Sequence, residues 1–212
     1  IEKSIKKLGY TPNKTAQMLR ARKTNTICIL IPVIGDYFWG TLCSYIEEYV
    51  QKYNYSTIVS SYDPKADENA DVIRLLLSNQ VDGVILIPEN VAHLHLIQSI
   101  AQNHIPLVYL DQVVADPPGD SVTSTNRKSA YEATEYLIAK GHCCLGVIGG
   151  IMDSYTISER IQGFYDACDK HHIPFPCRIV MGGDFSPHSG AVQFRRMMEQ
   201  SPRPTAILIL GY

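Results

Sequence analysis

The sequence predicts an α/β fold of two lobes, each a parallel sheet with helices on both faces. Three observations predict it. Short apolar runs recur along the chain, segments of helical periodicity separate them, and a polar Pro-Gly stretch, DPPGD (116–120), interrupts the alternation once. Strand–helix alternation of this kind specifies βαβ units, whose strands are buried on both faces and so read as continuous apolar runs.

The elements follow in order. ICILIP (27–32) reads as a buried strand. Trp39, Leu42, Cys43, Ile46, Tyr49, Val50 and Tyr53 recur at i, i+3, i+4, i+7 spacing and predict a helix. STIVSS (56–61) is a strand, 66–78 a helix ending in LLL, GVILIP (83–88) a strand, 92–103 a helix and PLVYL (106–110) a fourth strand. After the Pro-Gly stretch, SVTST (121–125) reads as a short strand, and Asn126 as the cap of a helix whose inner face is Ala130, Ala133, Leu137 and Ile138. LGVIGG (145–150), a helix over 157–171, RIVMG (178–182), a helix over 187–200 and TAILIL (205–210) complete the series. A second lobe is expected to begin around Asn126. The sequence stops on a strand and starts on a helical pattern, Ile1, Ile5, Leu8, with nothing before it to pack against; both ends read as truncations.

Bulk properties narrow the function classes. With 212 residues and 45% hydrophobic composition the chain can bury a sizeable core. No uncharged apolar stretch approaches the ~20 residues that span a bilayer, and IEKSIKKLGY lacks the apolar core of a signal peptide. A cytoplasmic protein is expected. The net charge of -2 hides an asymmetry: residues 1–23 carry seven cations against Glu2 alone, leaving twelve basic and twenty acidic residues elsewhere. A basic arm on an acidic body suits an arm that meets a polyanion, although a solvated charged helix gives the same count.

Chemistry-bearing motifs are sparse. Cys28, Cys43, Cys143, Cys144, Cys168 and Cys177 form no C-x-x-C pair, and several lie in apolar runs. A metal site or a disulfide framework is open to them, but buried reduced thiols fit better. His171-His172 near Cys168 could bind metal, but reads better as a solvated helix end. GVIGG lacks the G-x-G-x-x-G spacing and the following Lys-Ser/Thr of a phosphate loop, and no nucleophile–base arrangement sits at a strand-end elbow. Neither an enzyme nor a cofactor is expected.

The stretch LGYTPNKTAQMLRARKTNTICILIP (8–32) resembles the junction between headpiece and core in lactose-repressor-family regulators. Gly9, Tyr10, Pro12 and Asn13 match the end of the last headpiece helix, and Ala16 and Leu19 the hinge helix. IEEYVQKYNYS (46–56), QVDGVIL (80–86), IPLVYLD (105–111), EYLIAKGH (135–142), GVIGG (146–150), SERIQGF (158–164), GGDFSPHSG (182–190) and PRPTAI (202–207) match in the same order. The resemblance implies a two-lobed, periplasmic-binding-protein-like core behind a helix-turn-helix headpiece and a hinge. Residues 1–12 would be the headpiece remnant, 13–24 the hinge helix and linker, 25–124 the N-terminal lobe and 125–212 part of the C-terminal lobe. It also implies a homodimeric repressor that binds operator DNA under the control of a small effector.

Two sets of site residues follow. The resemblance implies DNA contacts from Tyr10, Asn13, Lys14, Ala16, Gln17, Leu19 and Arg20. Leu19 would be an apolar wedge between base steps of the kind minor-groove proteins use, with Arg20, Arg22 and Lys23 on phosphates; packing in a hinge-to-hinge contact is compatible with that role. The helices that read the major groove would precede Ile1. For the effector, ligands of doubly wound sheets sit beyond the carboxyl ends of strands. That places Tyr37, Phe38, Ser61, Tyr62, Asp111, Ser154, Tyr155, Thr156, Arg160 and Phe185 as candidates. Aromatic faces with a carboxylate and a guanidinium suit a sugar or a purine, and the resemblance singles out Asp111 and Arg160.

Each candidate has a plainer alternative: Arg160 pairing with Asp153 or Asp169, Asp111 capping a turn, Phe38 and Phe185 packing in a core. Three positions depart from the family pattern. Val33 stands for a frequent Asp, Gln112 for a frequent Arg, and Gly211-Tyr212 for an Asn-Asp pair, which points away from a simple hexose. The same fold serves exported sugar-binding proteins, which would have no use for the segment 9–23.

Overall fold

The computed structural model describes residues 23–35, 37–63, 69–88, 94–114 and 119–211. The DNA-contact candidates Tyr10, Asn13, Lys14, Ala16, Gln17, Leu19 and Arg20 lie outside them. The elements alternate as the sequence predicts: β1 (Thr26–Ile31), α1 (Tyr37–Gln51), β2 (Ser56–Ser61), α2 (Ala70–Ser78), β3 (Gly83–Leu86), α3 (Leu94–Gln102), β4 (Leu107–Leu110), β5 (Asp120–Val122), α4 (Asn126–Ala139), β6 (Leu145–Ile148), α5 (Tyr155–Lys170), β7 (Arg178–Met181), α6 (Pro187–Met198) and β8 (Ala206–Ile209). A single 3-10 turn, Phe175–Cys177, precedes β7.

One sheet has the order β2-β1-β3-β4-β5 and the other β7-β6-β8. β1 is parallel to both β2 and β3, and β6 to both β7 and β8. The middle strands carry the burial. Cys28, Ile29, Leu30 and Ile31 of β1 are at most 1% exposed, and all four residues of β6 are buried. This is why those two stretches read as unbroken apolar runs, whereas STIVSS, on the edge strand β2, is polar at both ends. Burial also pushes the Cys28 thiol up to about 12 and the Cys168 thiol up to about 11, which leaves both unreactive.

The described residues gather into two compact units. The first comprises 23–87, 94–108 and 119–120, and the second 88, 109–114 and 121–211. In the first, β1 begins under a clamp. Asp82 accepts from the backbone N–H of Thr24 through Oδ1 at 2.9 Å and from that of Asn25 through Oδ2 at 3.0 Å, while Thr24 Oγ1 donates to Gln80 O at 2.8 Å. The Asp of QVDGVIL therefore fixes where the chain enters β1.

In the second unit, Leu145, Val147, Ile157, Ile161, Phe164, Cys168, Ile173 and Leu210 form the core. Each large apolar side chain buried there contributes roughly 1.5–3 kcal/mol. α4 and α5 pack closely because of Gly163: a β-carbon there would lie 2.1 Å from Arg127 O. Around this contact the helices are pinned by ion pairs. Arg127 Nε meets Asp166 at 2.6 Å, and Glu135 accepts from Lys170 Nζ at 2.7 Å and from the His171 ring at 2.9 Å.

One local reading is corrected. Asn126 is not the cap of α4 but its first residue, preceded by Thr125, which makes no side-chain cap bond. Its amide is turned away from the helix end: Oδ1 accepts from Ser124 Oγ at 3.0 Å and from Arg160 Nε at 2.8 Å.

Candidate functional site

In the first unit the candidates gather at the carboxyl edge of the sheet. β1 and β2 are parallel with Ile31 opposite Ser61, so the chain leaving β1 toward Tyr37 and the chain leaving β2 at Ser61 emerge side by side. Tyr62 turns inward from that edge, only 3% exposed; its N–H donates to Ile31 O at 3.2 Å and its hydroxyl to Ile87 O at 2.7 Å. Tyr62 thus ties the ends of β1, β2 and β3 together. Tyr37 and Phe38 begin α1 and are 83% and 41% exposed, with Phe38 edge-on to Trp39 at 4.7 Å between ring centroids. Phe38 is not a core aromatic.

In the second unit Asp111 and Arg160 come within electrostatic reach. Asp111 follows β4 in a left-handed backbone conformation, φ 65°, which a short polar side chain tolerates, and its N–H donates to Val122 O at 2.8 Å. Burial raises its carboxyl above the usual carboxylate range, and the nearby Arg160 guanidinium partly offsets this. Arg160 lies in the second turn of α5 and is half-buried. It donates through Nε to Asn126 and through Nη1 to the carbonyl of Leu210, at the end of β8. Asp169, one of its alternative partners, is taken by Arg178. Arg160 and Asn126 border a cleft of about 260 Å³ with Ser124, Ser129 and Leu210. Asn126 is 5% exposed, and its Nδ2 is the buried side-chain polar atom left without a partner among the described residues.

Ser154 and Thr156 are buried and face one another, Oγ to Oγ1 at 3.0 Å, while Gln112 Nε2 donates to Ser154 Oγ at 3.2 Å. Gln112, noted only as a departure from a frequent Arg, thereby closes a buried chain of three polar groups. Tyr155 between them opens α5, half-buried.

Phe185 is 49% exposed, and its ring is seated by glycine. A β-carbon at Gly150 would lie 2.3 Å from the ring, and one at Gly211 would lie 2.7 Å away. These residues border a second cleft of about 170 Å³ with Gly149, Asp184 and Ser186. The departure at Gly211 is therefore coupled to Phe185: the ring occupies the space a larger residue would claim. Strand-end glycines were legible in the sequence; their aromatic partner was not.

The second unit thus presents a carboxylate and a guanidinium within electrostatic range of each other and, at a separate cleft, an exposed aromatic face. Charged groups of this kind form charge-assisted hydrogen bonds to polar substituents, and an aromatic face of this kind stacks on a ring. Among the described residues no cluster of three or more His, Cys, Asp or Glu could hold a metal ion, and no helix is long and apolar enough to cross a membrane.

Residues 24–212 match the family described as periplasmic binding proteins and sugar binding domain of LacI family. Catabolite control protein A of Priestia megaterium is 28% identical over 207 residues, covering 97% of this chain and 62% of that protein. The chain thus spans under two thirds of that relative's length. Among solved structures, the lac repressor dimer bound to operator and the anti-inducer ONPF aligns with a TM-score of 0.79 at 23% identity, covering 98% of this chain and 62% of that one. A LacI family transcriptional regulator from Enterococcus faecium with bound ribose aligns at 0.74 and 25% identity, covering 87% and 66%.

Proposed function

The chain belongs to the family of periplasmic binding proteins and LacI-type sugar-binding domains, and on that premise we propose that it is the effector-sensing part of a cytoplasmic, homodimeric transcriptional repressor. Residues 1–12 belong to its helix-turn-helix headpiece, 13–24 to its hinge, 25–124 to its first effector lobe and 125–212 to its second. The protein has no catalytic role. A sugar or purine-like effector binds Asp111 and Arg160, stacks on Phe185, and shifts the affinity of the headpiece and hinge for operator DNA. In the first unit Tyr37, Phe38, Ser61 and Tyr62 are further candidate effector contacts, and in the second Ser154, Tyr155 and Thr156 are.

The observation that carries this reading is the Asp111–Arg160 relationship, a partly desolvated carboxylate within electrostatic range of a guanidinium that Asn126 and Leu210 hold in place. The basic segment before Thr24 supports the DNA half of the proposal, since cations there would release counterions from phosphates.

The test takes the full-length protein and selects duplexes from a random pool, with and without each member of a sugar, nucleoside and purine panel. Enrichment of a two-fold symmetric site, reversed or enhanced by a compound that calorimetry shows to bind, is the expected result. Binding of a sugar with no enriched duplex would instead favour a solute-binding protein of the same fold.

A further inference from the structure

Cys144 and Cys177 each stand one residue before a matched pair. Leu145 opens β6, Arg178 opens β7, and these two are Cα partners in the parallel ladder. Neighbouring strands run ~4.8 Å apart, inside the Cα separation of roughly 4.4–6.8 Å that a disulfide spans. The two thiols are near enough for Cys177 to help raise that of Cys144, whose own S–H is directed at Pro202 O at 3.8 Å. Both sulfurs are reduced, and their burial differs, Cys144 being buried and Cys177 half-buried. Cys177 ends the 3-10 turn ahead of β7, a point outside the strand pairing where the backbone can adjust to a crosslink.

We propose that Cys144 and Cys177 form a peroxide-oxidisable dithiol, a modification site that staples the amino-terminal ends of β6 and β7. The more accessible Cys177 attacks first. Its thiolate forms an S–O bond with hydrogen peroxide, the O–O bond breaks, and the leaving hydroxide takes the thiol proton as water. Cys144 then attacks the sulfenic sulfur: an S–S bond forms, the S–O bond breaks, and a second water leaves with the Cys144 proton. The two thiols lose two electrons and two protons, and the peroxide is reduced to two waters. Burial and the neighbouring Cys177 push the Cys144 thiol up to about 11, so it stays protonated at neutral pH and is the slower of the two to react, attacking only as it gives up its proton.

The bond would close β6, α5 and the turn before β7 into one ring. Thr156 and Arg160 ride on that ring, so oxidation would stiffen the element that carries them. The inference needs no effector and stands apart from the regulatory reading.

The experiment treats the full chain with hydrogen peroxide, removes the oxidant, denatures, and alkylates with N-ethylmaleimide. The chain has six cysteines. The expected result is two fewer adducts than the untreated chain carries, restored by dithiothreitol, with the Cys144 and Cys177 peptides linked in a non-reducing digest. The oxidised wild type should also melt several degrees higher, because the crosslink restricts the unfolded chain. Cys143→Ser should keep the crosslink and Cys177→Ser should lose it. A full set of alkylatable thiols after peroxide treatment of the wild type, or a linked pair that includes Cys143, overturns the proposal.

Discussion

Arg160 donates through Nε to Oδ1 of Asn126 at 2.8 Å, joining the second turn of α5 to the first residue of α4. The same guanidinium donates to Leu210 O, so one side chain ties two helices to the end of β8. Removing it leaves buried acceptors short of a donor, at a cost of about 1–3 kcal/mol. Arg160→Ala is therefore expected to lower the stability of the chain by that amount in urea denaturation. In the full-length protein it should also weaken effector binding at least tenfold, or roughly 1.5 kcal/mol. Arg160→Lys should restore neither, because an ammonium cannot reproduce the planar fork. An Arg160→Ala protein as stable as the wild type would show that these bonds contribute nothing net.

The seat of Phe185 gives a second prediction. Gly150→Ala places a methyl where the ring lies, and overpacking of this kind costs about 1–3 kcal/mol. Phe185→Ala vacates the same space. The two changes should be non-additive, with the double variant more stable than the sum of single effects implies. Additive effects in thermal denaturation would mean that the ring and the glycine do not meet.

Asp111 predicts a pH dependence of unusual sign. Its carboxyl is raised, first by burial, so the folded chain holds this proton more tightly than the unfolded chain does. Stability from this group is therefore present at low pH and lost as pH rises through the carboxylate range. Asp111→Asn should raise the melting temperature at pH 7 and lose that advantage as the pH is lowered through the carboxylate range. The same change should weaken effector binding in the full-length protein, since it removes a charge-assisted acceptor. A melting temperature at pH 7 lowered by Asp111→Asn would reverse the argument.

Glu135 has the opposite sign. Hydrogen bonds from Lys170 and then His171 hold its carboxyl at about 2, well below the ordinary 4.5. Its contribution is present above the ordinary value and is lost as pH falls from there toward about 2. In Glu135→Gln the melting temperature should fall less steeply across that window than in the wild type. Equal slopes would show that the pair is screened at the surface.

These relationships mark where the sequence was legible. β1 and β6 are buried on both faces, so their runs, ICILIP and LGVIGG, announced themselves. Local periodicity likewise found α1 and α5, although α5 starts at Tyr155, two residues before the expected 157, because its polar first turn carries no apolar rhythm. Asn126 misled for a physical reason: a residue suited to capping was drawn into a bond with a side chain 34 positions away. The contact between Gly150 and Phe185, the Gln112–Ser154 bond and the Glu135–Lys170 pair are likewise distant in sequence, and no spacing rule encodes them. Asp111, Arg160 and Phe185 could be nominated from strand ends and resemblance; which groups hold them could not.

Asp82 has a mechanical consequence. It grips the backbone N–H groups of Thr24 and Asn25 from the turn that leads into β3. The direction in which the chain arrives at β1 is therefore fixed at a pivot anchored on a neighbouring strand. A small rotation of β3 would be passed to Thr24 and Asn25 through the same two hydrogen bonds, so a single carboxylate couples the setting of β3 to the start of β1.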